Sequence, residues 1–519
     1  MAKLSSKQWE VAFLIAILCI AAALRLYRIE DESVWYDEVV STASLDQPTL
    51  GEFFKELRDN DPTVVPAYFT LEYLCARLAG GNIVAVRILS VALSLITIGL
   101  VYATGRYLFG GTAGLVAAAL LAISRVHVYY SQEIRMYALF LPLAQLSLLT
   151  FIAAHNSKRR SLWIVNVLVN AAIVWTHLWG CILLFTEGLF ILLFTRPRPF
   201  RRAFVWTLGH APFLLLLGLW LSDDDLRRMN VAVNWISSPT WWSLFVHYFY
   251  FCSGSSNFMM ECTRPHLLGL RTHALPGAFM IAASLWLLVW VFRHRVKTKF
   301  HPAGEGPWML TFRSRVALPR SLRACPGYAP VPLLFLFIVF LVPPFVLFII
   351  SHEVKPYFVN RYVFYPAFAF CILAGAGAAV TPKGIIRVLA IALLLAPLLL
   401  QLTDLKRPLR SDMKTAARII DAYGKPGDFV FTDHEVGTAV LKIGGVLSNM
   451  NMRSGPQYLD GTLSCVESGT SSWVIIPVYK STSTVDFDDK VQRLGYKHDC
   501  FIIDGMVPLA VYRVMPYED

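Results

Sequence analysis

Charged residues are scarce in this chain. Asp, Glu, Lys and Arg make up 16% of its 519 residues, against about a quarter in an average soluble protein. Apolar residues make up 56%, and uncharged runs long enough to cross a bilayer recur along most of the sequence. This excludes an ordinary soluble protein and predicts a polytopic membrane protein. The net charge of +12 resides in short loops between apolar runs, so no nucleic-acid partner is expected.

The sequence also lacks CxxC pairs among its nine cysteines, so no structural zinc site is predicted. Cys252 with Cys262, and Cys465 with Cys500, lie in segments expected outside the cytoplasm, where disulfides form and persist. Unpaired thiols are an equally good interpretation of both pairs, because the sequence does not supply the geometry that a disulfide requires.

Apolar runs predict about eleven membrane spans. Basic residues concentrate in alternate segments between them, at 158–160, 196–202, 293–323 and 383–387. By the positive-inside rule these segments are cytoplasmic. The N-terminus is then cytoplasmic and the first span is an uncleaved signal anchor in the inner or plasma membrane. The predicted spans begin near Val11, Asn82, Thr112, Ile134, Leu162, Cys181, Phe204, Pro276, Val331, Tyr362 and Ile385.

The segment from Pro66 to Gly80 decides which loops lie outside. It is short and carries Glu72 and Arg77, so we interpret it as an interfacial helix and not as a span. The preceding stretch 50–58 has the apolar spacing of a helix that lies on a surface. Two such helices would form a shelf within an external loop at 29–81.

These assignments predict two domains. Residues 1–403 form an α-helical membrane domain with a second external loop at 222–275 and a cytoplasmic loop at 293–330. Residues 404–519 have the composition of a small extracytoplasmic α/β domain. In this domain Ser411 is expected to cap a helix, and strands are predicted at 428–432, 473–478 and 509–514.

Polar residues recur in the loops that this topology places outside. Asp37 and Glu38 follow the first span, and ionisable groups at the ends of spans are functional candidates. The later loops contribute Gln132, Glu133, Arg135, Tyr137, His177, Lys355, Arg361 and Tyr362. Several of these residues also have simpler interpretations: Arg135 could pair with Glu133, Lys355 and Arg361 could contact lipid headgroups, and His177 could be an ordinary histidine at a helix end.

Four motifs resemble those of the polytopic C-type glycosyltransferases, the group that holds protein O-mannosyltransferases and the lipid A aminoarabinose transferase. They are ESVWYDEVVS at 32–41, YYSQEIRMYAL at 129–139, WTHLWG at 175–180 and NRYVFYPAFAF at 360–370. The resemblance spans about residues 8 to 400. Relatives often carry a His-Pro-Pro-Leu-Tyr-Tyr-like stretch where this chain has DPTVVPAYF, and only Asp61, Pro66 and Tyr68 can stand in for it.

The resemblance implies transfer of a sugar, with inversion, from a polyprenyl phosphate carrier to an extracytoplasmic acceptor. Asp37 matches the acidic motif and would be the general base, with Glu38 tuning its pKa or orientation. The donor's sugar phosphate would be bound by the residues collected from the later loops, among which Arg135, Lys355 and Arg361 would neutralise the phosphate. The acceptor class stays open among lipid, glycan and protein.

Asp223, Asp224 and Asp225 imitate the Asp-x-Asp metal motif of soluble glycosyltransferases, but we interpret them as a solvated loop. A divalent metal is compatible with the sequence and unsupported by it, so no cofactor is expected. The alternative function is a transporter or flippase of lipid-linked sugars, since many spans with charged ends suit either role. Transporters usually contain internal repeats, and the sequence shows none.

Overall fold

The structure, a computed structural model, describes most of residues 5–253, all of residues 330–402, and parts of residues 412–515. The predicted span near Pro276, Cys262 and the predicted cytoplasmic loop lie outside the described residues. Two compact units are present: Met1–Tyr27 with Gln47–Leu402, and Arg28–Asp46 with Thr403–Asp519. Residues 35, 43, 157–158, 196–197, 234–235 and 237 are not described, and the described residues after 411 are 412–432, 450–454, 462, 464–466, 471–477, 487, 491, 493, 496–503 and 509–515.

The first unit is helical throughout its described part. Among the described residues of this unit, the one regular element that is not an α-helix is a short 3₁₀ turn at Asn360–Val363. Its helices are α1 (Ser6–Leu26), α3 (Leu50–Asn60), α4 (Pro66–Leu78), α5 (Ile83–Phe109), α6 (Gly111–Ile123), α7 (Arg125–Ser131), α8 (Tyr137–Asn156), α9 (Arg160–Val174), α10 (Gly180–Phe194), α11 (Pro199–Trp220), α12 (Asp223–Ala232), α13 (Trp241–Ser253), α14 (Pro330–Glu353), α15 (Pro366–Val380) and α16 (Ile385–Gln401).

Five described helices, α1, α5, α8, α11 and α14, are long and apolar enough to cross a membrane. The predicted span near Thr112 is a broken pair, because α6 and α7 meet at an angle of 66°. The predicted spans near Leu162, Cys181, Tyr362 and Ile385 correspond to shorter apolar helices of 10 to 17 residues. Helices therefore occupy every predicted span that the structure describes, although not all have full spanning length.

The two helices that we expect to form a shelf are α3 and α4. Thr49 caps α3, its side-chain oxygen accepting from the Glu52 backbone N–H at 3.3 Å, and Phe53 and Leu57 are fully buried. Helix α4 begins at a proline, where the missing N–H is not needed. It is 13 residues long, too short to cross a bilayer as a helix.

The broken pair is held by Arg25 of α1, which is fully buried. A guanidinium has five N–H donors, and here Nε makes one bond while Nη1 and Nη2 make two each. Two of the acceptors are carbonyls in the last turn of α6, where helical carbonyls often lack partners within the helix. Arg25 is therefore a joint between helices with its donors already used. The acceptors are Ser94 Oγ (2.6 Å), Ala21 O (3.0 Å), Ala122 O (2.9 Å), Leu121 O (3.4 Å) and His127 Nδ1 (2.7 Å).

Glycines bring α5, α6 and α15 into backbone contact. A Cβ atom at Gly375 would lie 2.3 Å from the carbonyl oxygen of Ala113, and one at Gly114 would lie 2.6 Å from that of Tyr102. Both distances are well below van der Waals contact, and both neighbours are backbone atoms that cannot move aside cheaply. These positions therefore require glycine.

The second unit contains α2 (Tyr36–Thr42), α17 (Met413–Tyr423) and a five-stranded sheet in the order β2-β1-β3-β5-β4. Strand β1 pairs in parallel with β2 and β3, while β5 pairs antiparallel with β3 and β4. Trp473 of β3 is fully buried against α17 residues such as Ile420. The strands are β1 (Phe429–Thr432), β2 (Asn451–Ser454), β3 (Ser472–Pro477), β4 (Lys497–Ile503) and β5 (Leu509–Met515).

The α/β character predicted for this unit is confirmed, with corrections. The cap of α17 is Asp412, whose carboxylate accepts from the Thr415 N–H at 3.0 Å, and not Ser411. Within the described residues no disulfide joins Cys465, which is buried, to Cys500, which is exposed. Residues 28–46 also belong to this unit: the Lys414 N–H donates to Ser33 Oγ at 3.1 Å.

Candidate functional site

Arg135 lies in the turn between α7 and α8 and is buried. Its Nη2 donates to Asp61 Oδ2 at 3.1 Å, forming an ion pair, and its guanidinium lies 5.8 Å from the ring centre of Phe69. The other oxygen of Asp61 accepts from the N–H of Thr63 at 2.9 Å. Asp61 therefore holds the guanidinium of Arg135, and the hydrogen bond from Thr63 holds the carboxylate of Asp61.

His177 lies in the turn between α9 and α10 and is 4% exposed. Its Nδ1 accepts from the backbone N–H of Trp179 at 3.2 Å, so a neutral ring carries its proton on Nε2. Burial, with the positive charges of Arg135 and Arg361, lowers the pKa of His177 to about 3. The imidazole is therefore neutral at physiological pH and flanked by two guanidinium groups.

Aromatic rings enclose this histidine. Tyr137, Phe140 and Tyr362 have ring centres 5.5, 5.3 and 5.3 Å from it. Tyr362 also stacks on Trp179, with centres 5.9 Å apart and planes inclined by 21°. Tyr362 and Trp179 are only partly buried.

The 3₁₀ turn positions Arg361, which is buried beside Tyr362. The preceding residue, Asn360, holds the turn through its Oδ1, which lies 2.6 Å from Nδ1 of His247 in α13. Burial lowers the pKa of His247 to about 3. This neutral His247 therefore donates from Nδ1 to Asn360, since an amide oxygen only accepts.

Lys355 lies at the edge of this arrangement. Its ammonium donates to the backbone carbonyl of Asn230, and Tyr357 Oη donates to the side-chain oxygen of the same asparagine at 3.2 Å. Tyr357 in turn packs against Trp179, with ring centres 5.2 Å apart. Lys355 is thus connected to the site through Tyr357.

Gln132 and Glu133 connect the turn between α7 and α8 to other helices. Gln132 Nε2 donates to the carbonyls of Arg25 (2.7 Å) and Tyr27 (3.1 Å), so it ties the α7–α8 turn to α1. The carbonyl of Glu133 accepts from Ser90 Oγ at 2.8 Å. Of the predicted donor-binding residues in this unit, Arg135, Tyr137, His177, Arg361 and Tyr362 are brought together around one point.

Asp37 and Glu38 belong to the other unit, in the first turn of α2. Both are buried, with exposed fractions of 8% and 0%. Carboxylates in the first turn of a helix are favoured by its unpaired N–H groups. Thr42 Oγ1 donates to the carbonyl of Glu38 at 2.7 Å and holds the short helix.

Asp223 to Asp225 begin α12 and are not the solvated loop that we expected. Asp225 forms a capping box with Ser222 and is paired with Arg58 and Arg228, so its charge stabilises a helix end. Within the described residues there is no group of three or more His, Cys, Asp or Glu side chains that could hold a metal ion.

Sequence patterns did not single out Tyr130, Trp179 or Tyr357 as site residues. Tyr130 contacts Tyr137, with ring centres 5.7 Å apart. Tyr130 and Trp179 lie inside the motifs at 129–139 and 175–180, which were a usable signal. The hydrogen bond between Tyr357 and Asn230 of α12 joins residues more than a hundred positions apart, which local patterns do not show.

Residues 61–221 match the family described as dolichyl-phosphate-mannose-protein mannosyltransferase. This match indicates a glycosyltransferase. It confirms the resemblance predicted from the motifs, over a segment that contains Asp61, Arg135 and His177. Together with the apolar helices, it supports a multi-pass membrane glycosyltransferase. Among curated proteins, none matches the chain significantly.

Solved structures of low identity are also similar to this chain. ArnT from Cupriavidus metallidurans bound to undecaprenyl phosphate is 12% identical, with 98% of each chain covered and a TM-score of 0.48. The Archaeoglobus fulgidus oligosaccharyltransferase tethered with an acceptor peptide is 11% identical, with 98% of this chain and 74% of that chain covered and a TM-score of 0.48.

Proposed function

We propose that this protein transfers a sugar from a polyprenyl-phosphate-linked donor to an extracytoplasmic acceptor, with inversion. The observation that carries the proposal is the pair of buried guanidinium groups, Arg135 and Arg361, beside the neutral His177. The segment 61–221 of this chain also matches a family that is named for a lipid phosphate sugar. The protein would lie in the inner or plasma membrane, with its N-terminus cytoplasmic and its C-terminal domain outside.

The reaction requires charge stabilisation at the leaving group. The acceptor hydroxyl oxygen forms a bond to the anomeric carbon, and the bond between that carbon and the phosphate oxygen breaks with its electron pair. The departing polyprenyl phosphate therefore gains negative charge. Arg135 and Arg361 are proposed to bind it, because preorganised cations in a water-poor site stabilise developing charge strongly.

A base must take the acceptor's proton as the new bond forms. We propose Asp37 for this role, because a carboxylate is acceptor-only when ionised and can take a hydroxyl proton. Attack opposite the leaving group in one step inverts the anomeric carbon. Glu38, next to it in α2, is proposed to tune its pKa through like charge.

Partly buried rings suit the sugar itself. Tyr362 and Trp179 stack on each other, and the guanidinium of Arg361 lies 6.0 Å from the ring centre of Tyr362. Lys355 is linked to these rings through Asn230 and Tyr357. We propose that these groups orient the sugar phosphate. No metal enters this proposal, so the enzyme is expected to keep its activity after treatment with EDTA.

The test is transfer from a radiolabelled polyprenyl phosphate sugar by Asp37→Asn, produced at the normal level. Loss of a base is expected to lower the rate by about 10²- to 10⁴-fold. Asp31→Asn is the matched control, because Asp31 is an exposed acidic residue in the same segment. Full activity of Asp37→Asn would show that Asp37 is not the base.

A separate measurement distinguishes the enzyme from a transporter. Purified protein in sealed vesicles is given the labelled carrier, and both its position and its chemical form are followed. Consumption of the carrier with appearance of a glycosylated product is expected. A carrier that crosses the bilayer unchanged would contradict the proposal.

A further inference from the structure

A second polar cluster lies among apolar helices of the first unit, apart from the arginines. It comprises Ser147 of α8, Asn166 and Asn170 of α9, Glu187 of α10 and His210 of α11, all of which are buried. Ionisable groups inside membrane helices are costly and usually have a purpose. None of these residues takes part in the proposed transfer reaction.

The contacts within the cluster are short. Ser147 Oγ lies 2.6 Å from Asn170 Oδ1 and 2.6 Å from Glu187 Oε1. The Asn170 Nδ2 lies 2.7 Å from Glu187 Oε2 and 3.2 Å from His210 Nε2. His210 Nδ1 lies 2.8 Å from the carbonyl oxygen of Trp206, so this nitrogen carries a hydrogen and Nε2 is free to accept.

Counting hydrogens shows which form of Glu187 fits. The Ser147 hydroxyl has one hydrogen, yet two oxygens lie 2.6 Å from it. Asn170 Oδ1 has no hydrogen, so Ser147 must donate to it. The contact between Ser147 and Glu187 then needs a hydrogen from Glu187. If Glu187 were ionised, no hydrogen would lie between Ser147 Oγ and Glu187 Oε1, although these two oxygens are 2.6 Å apart.

Reversing the amide of Asn170 gives the same answer. Its nitrogen would then donate to Ser147, and Ser147 would donate to Glu187 Oε1. The amide oxygen would lie 2.7 Å from Glu187 Oε2, a contact that again requires a hydrogen on the carboxyl group. His210 would also need a second hydrogen to face that oxygen. Both orientations therefore require protonated Glu187.

Within the part of the chain that the structure describes, no Lys or Arg forms an ion pair with Glu187. An isolated carboxylate in an apolar interior carries a large desolvation penalty, whereas a neutral carboxyl group with satisfied hydrogen bonds does not.

We propose that Glu187 is a proton-binding site, held as a neutral carboxylic acid that joins α8, α9 and α10 directly and α11 through Asn170 and His210. The bound proton completes the chain of hydrogen bonds: Glu187 donates to Ser147, Ser147 donates to Asn170, and Asn170 donates back to Glu187. The folded protein then contains one carboxyl proton at neutral pH that its unfolded chain releases.

Infrared spectroscopy of the purified protein in lipid nanodiscs tests the protonation directly. At pH 7 we expect a carboxylic acid C=O band that is absent from Glu187→Gln. Glu10→Gln is the matched control, because Glu10 accepts from Arg106 at 2.7 Å as an ionised partner, and it should leave the band unchanged. Identical spectra for the wild type and Glu187→Gln would overturn the proposal.

Thermal unfolding gives a second readout. Gln copies a protonated Glu, since its Nε2 can donate to Ser147 and its oxygen can accept from Asn170. The midpoint of Glu187→Gln is expected within about 2 °C of the wild type, while Glu187→Ala falls by more than about 5 °C. A Glu187→Gln midpoint as low as that of Glu187→Ala would overturn the proposal. If Glu187→Ala does not fold, the infrared result decides.

Discussion

The carboxylate of Asp61 and the guanidinium of Arg135 form an ion pair at 3.1 Å, although 74 residues separate them in the chain. The pair connects the end of α3 to the turn between α7 and α8. Asp61 stands where relatives often carry a His-Pro-Pro motif, and here its carboxylate orients a proposed phosphate-binding arginine. Both residues are well shielded from solvent, so bulk water screens their attraction only weakly.

Removing the Arg135 charge should therefore impair transfer more than removing its partner. Arg135→Gln is expected to lower kcat/KM about 100-fold or more, while Arg135→Lys retains part of the activity. Asp61→Asn should cost about 10-fold, because the guanidinium remains but loses its orientation. Transfer kinetics with a lipid-linked sugar measure each effect. If the two residues act as one unit, the double variant Asp61→Asn with Arg135→Gln should be no worse than Arg135→Gln alone, and additive losses would contradict this coupling.

His177 should make the protein less stable in mild acid. Its folded pKa is about 3, while an unfolded histidine titrates near 6.5. Below pH 6.5 the unfolded chain gains a proton that the folded chain does not, so stability falls as the pH drops towards 3. The cost at pH 5 is about 2 kcal/mol.

Thermal midpoints at pH 7 and pH 5 measure this effect. The drop should be smaller in His177→Asn, whose amide oxygen can replace Nδ1 as acceptor for the Trp179 N–H. His352→Asn is the control, since His352 is exposed. An unchanged drop in His177→Asn would show that other groups cause the acid sensitivity.

Arg25 should matter for folding and not for donor binding. All five of its N–H groups are used within the protein, so Arg25→Met leaves several buried acceptors unpaired at a cost of about 3 kcal/mol or more. A lower thermal midpoint is expected, with unchanged KM for the donor in the folded fraction. Arg106→Met is the comparison, because the side chain of this arginine is 49% exposed in its ion pair with Glu10, and ion pairs near the surface are worth about 1 kcal/mol or less. A raised KM in Arg25→Met at full stability would contradict a purely structural role.

Membrane orientation is testable by labelling single cysteines in a cysteine-free background. Asp31→Cys and Val354→Cys, both at exposed positions, should react with an impermeant reagent from outside. Arg160→Cys and Lys383→Cys should react only after the membrane is opened. If position 31 were labelled from the cytoplasm and position 354 from outside, the predicted topology would be wrong.

Periodicity and composition located the helices well, because the N–H and C=O groups of an apolar run within a bilayer must form hydrogen bonds to one another, as they do in a helix. They could not show the break after Ile123, since it depends on Arg25 reaching carbonyls almost a hundred residues away. Strands β2 and β4 were missed for a related reason. The run NMRS is short and polar, and KHDCFII begins with charged or titratable residues, so their pairing depends on neighbouring strands and not on local pattern.

The candidate site was predicted in outline. Motifs identified Arg135, His177 and Arg361, because buried charge and histidine stand out in apolar sequence. Ion-pair partners were harder: Glu133 was the one partner considered for Arg135, as a simpler interpretation, and the ion pair with Asp61 was not predicted. A single sequence carries no information about which distant carboxylate reaches which arginine.

The contacts at Gly375 and Gly114 join main chains directly, with no side chains between them to change rotamer. Helix α6 is thereby held tightly between α5 and α15. The bend between α6 and α7 is therefore expected to stay rigid. The proposed reaction requires a bulky lipid donor to enter and leave, so the movements that admit it should be sought in helices other than these three.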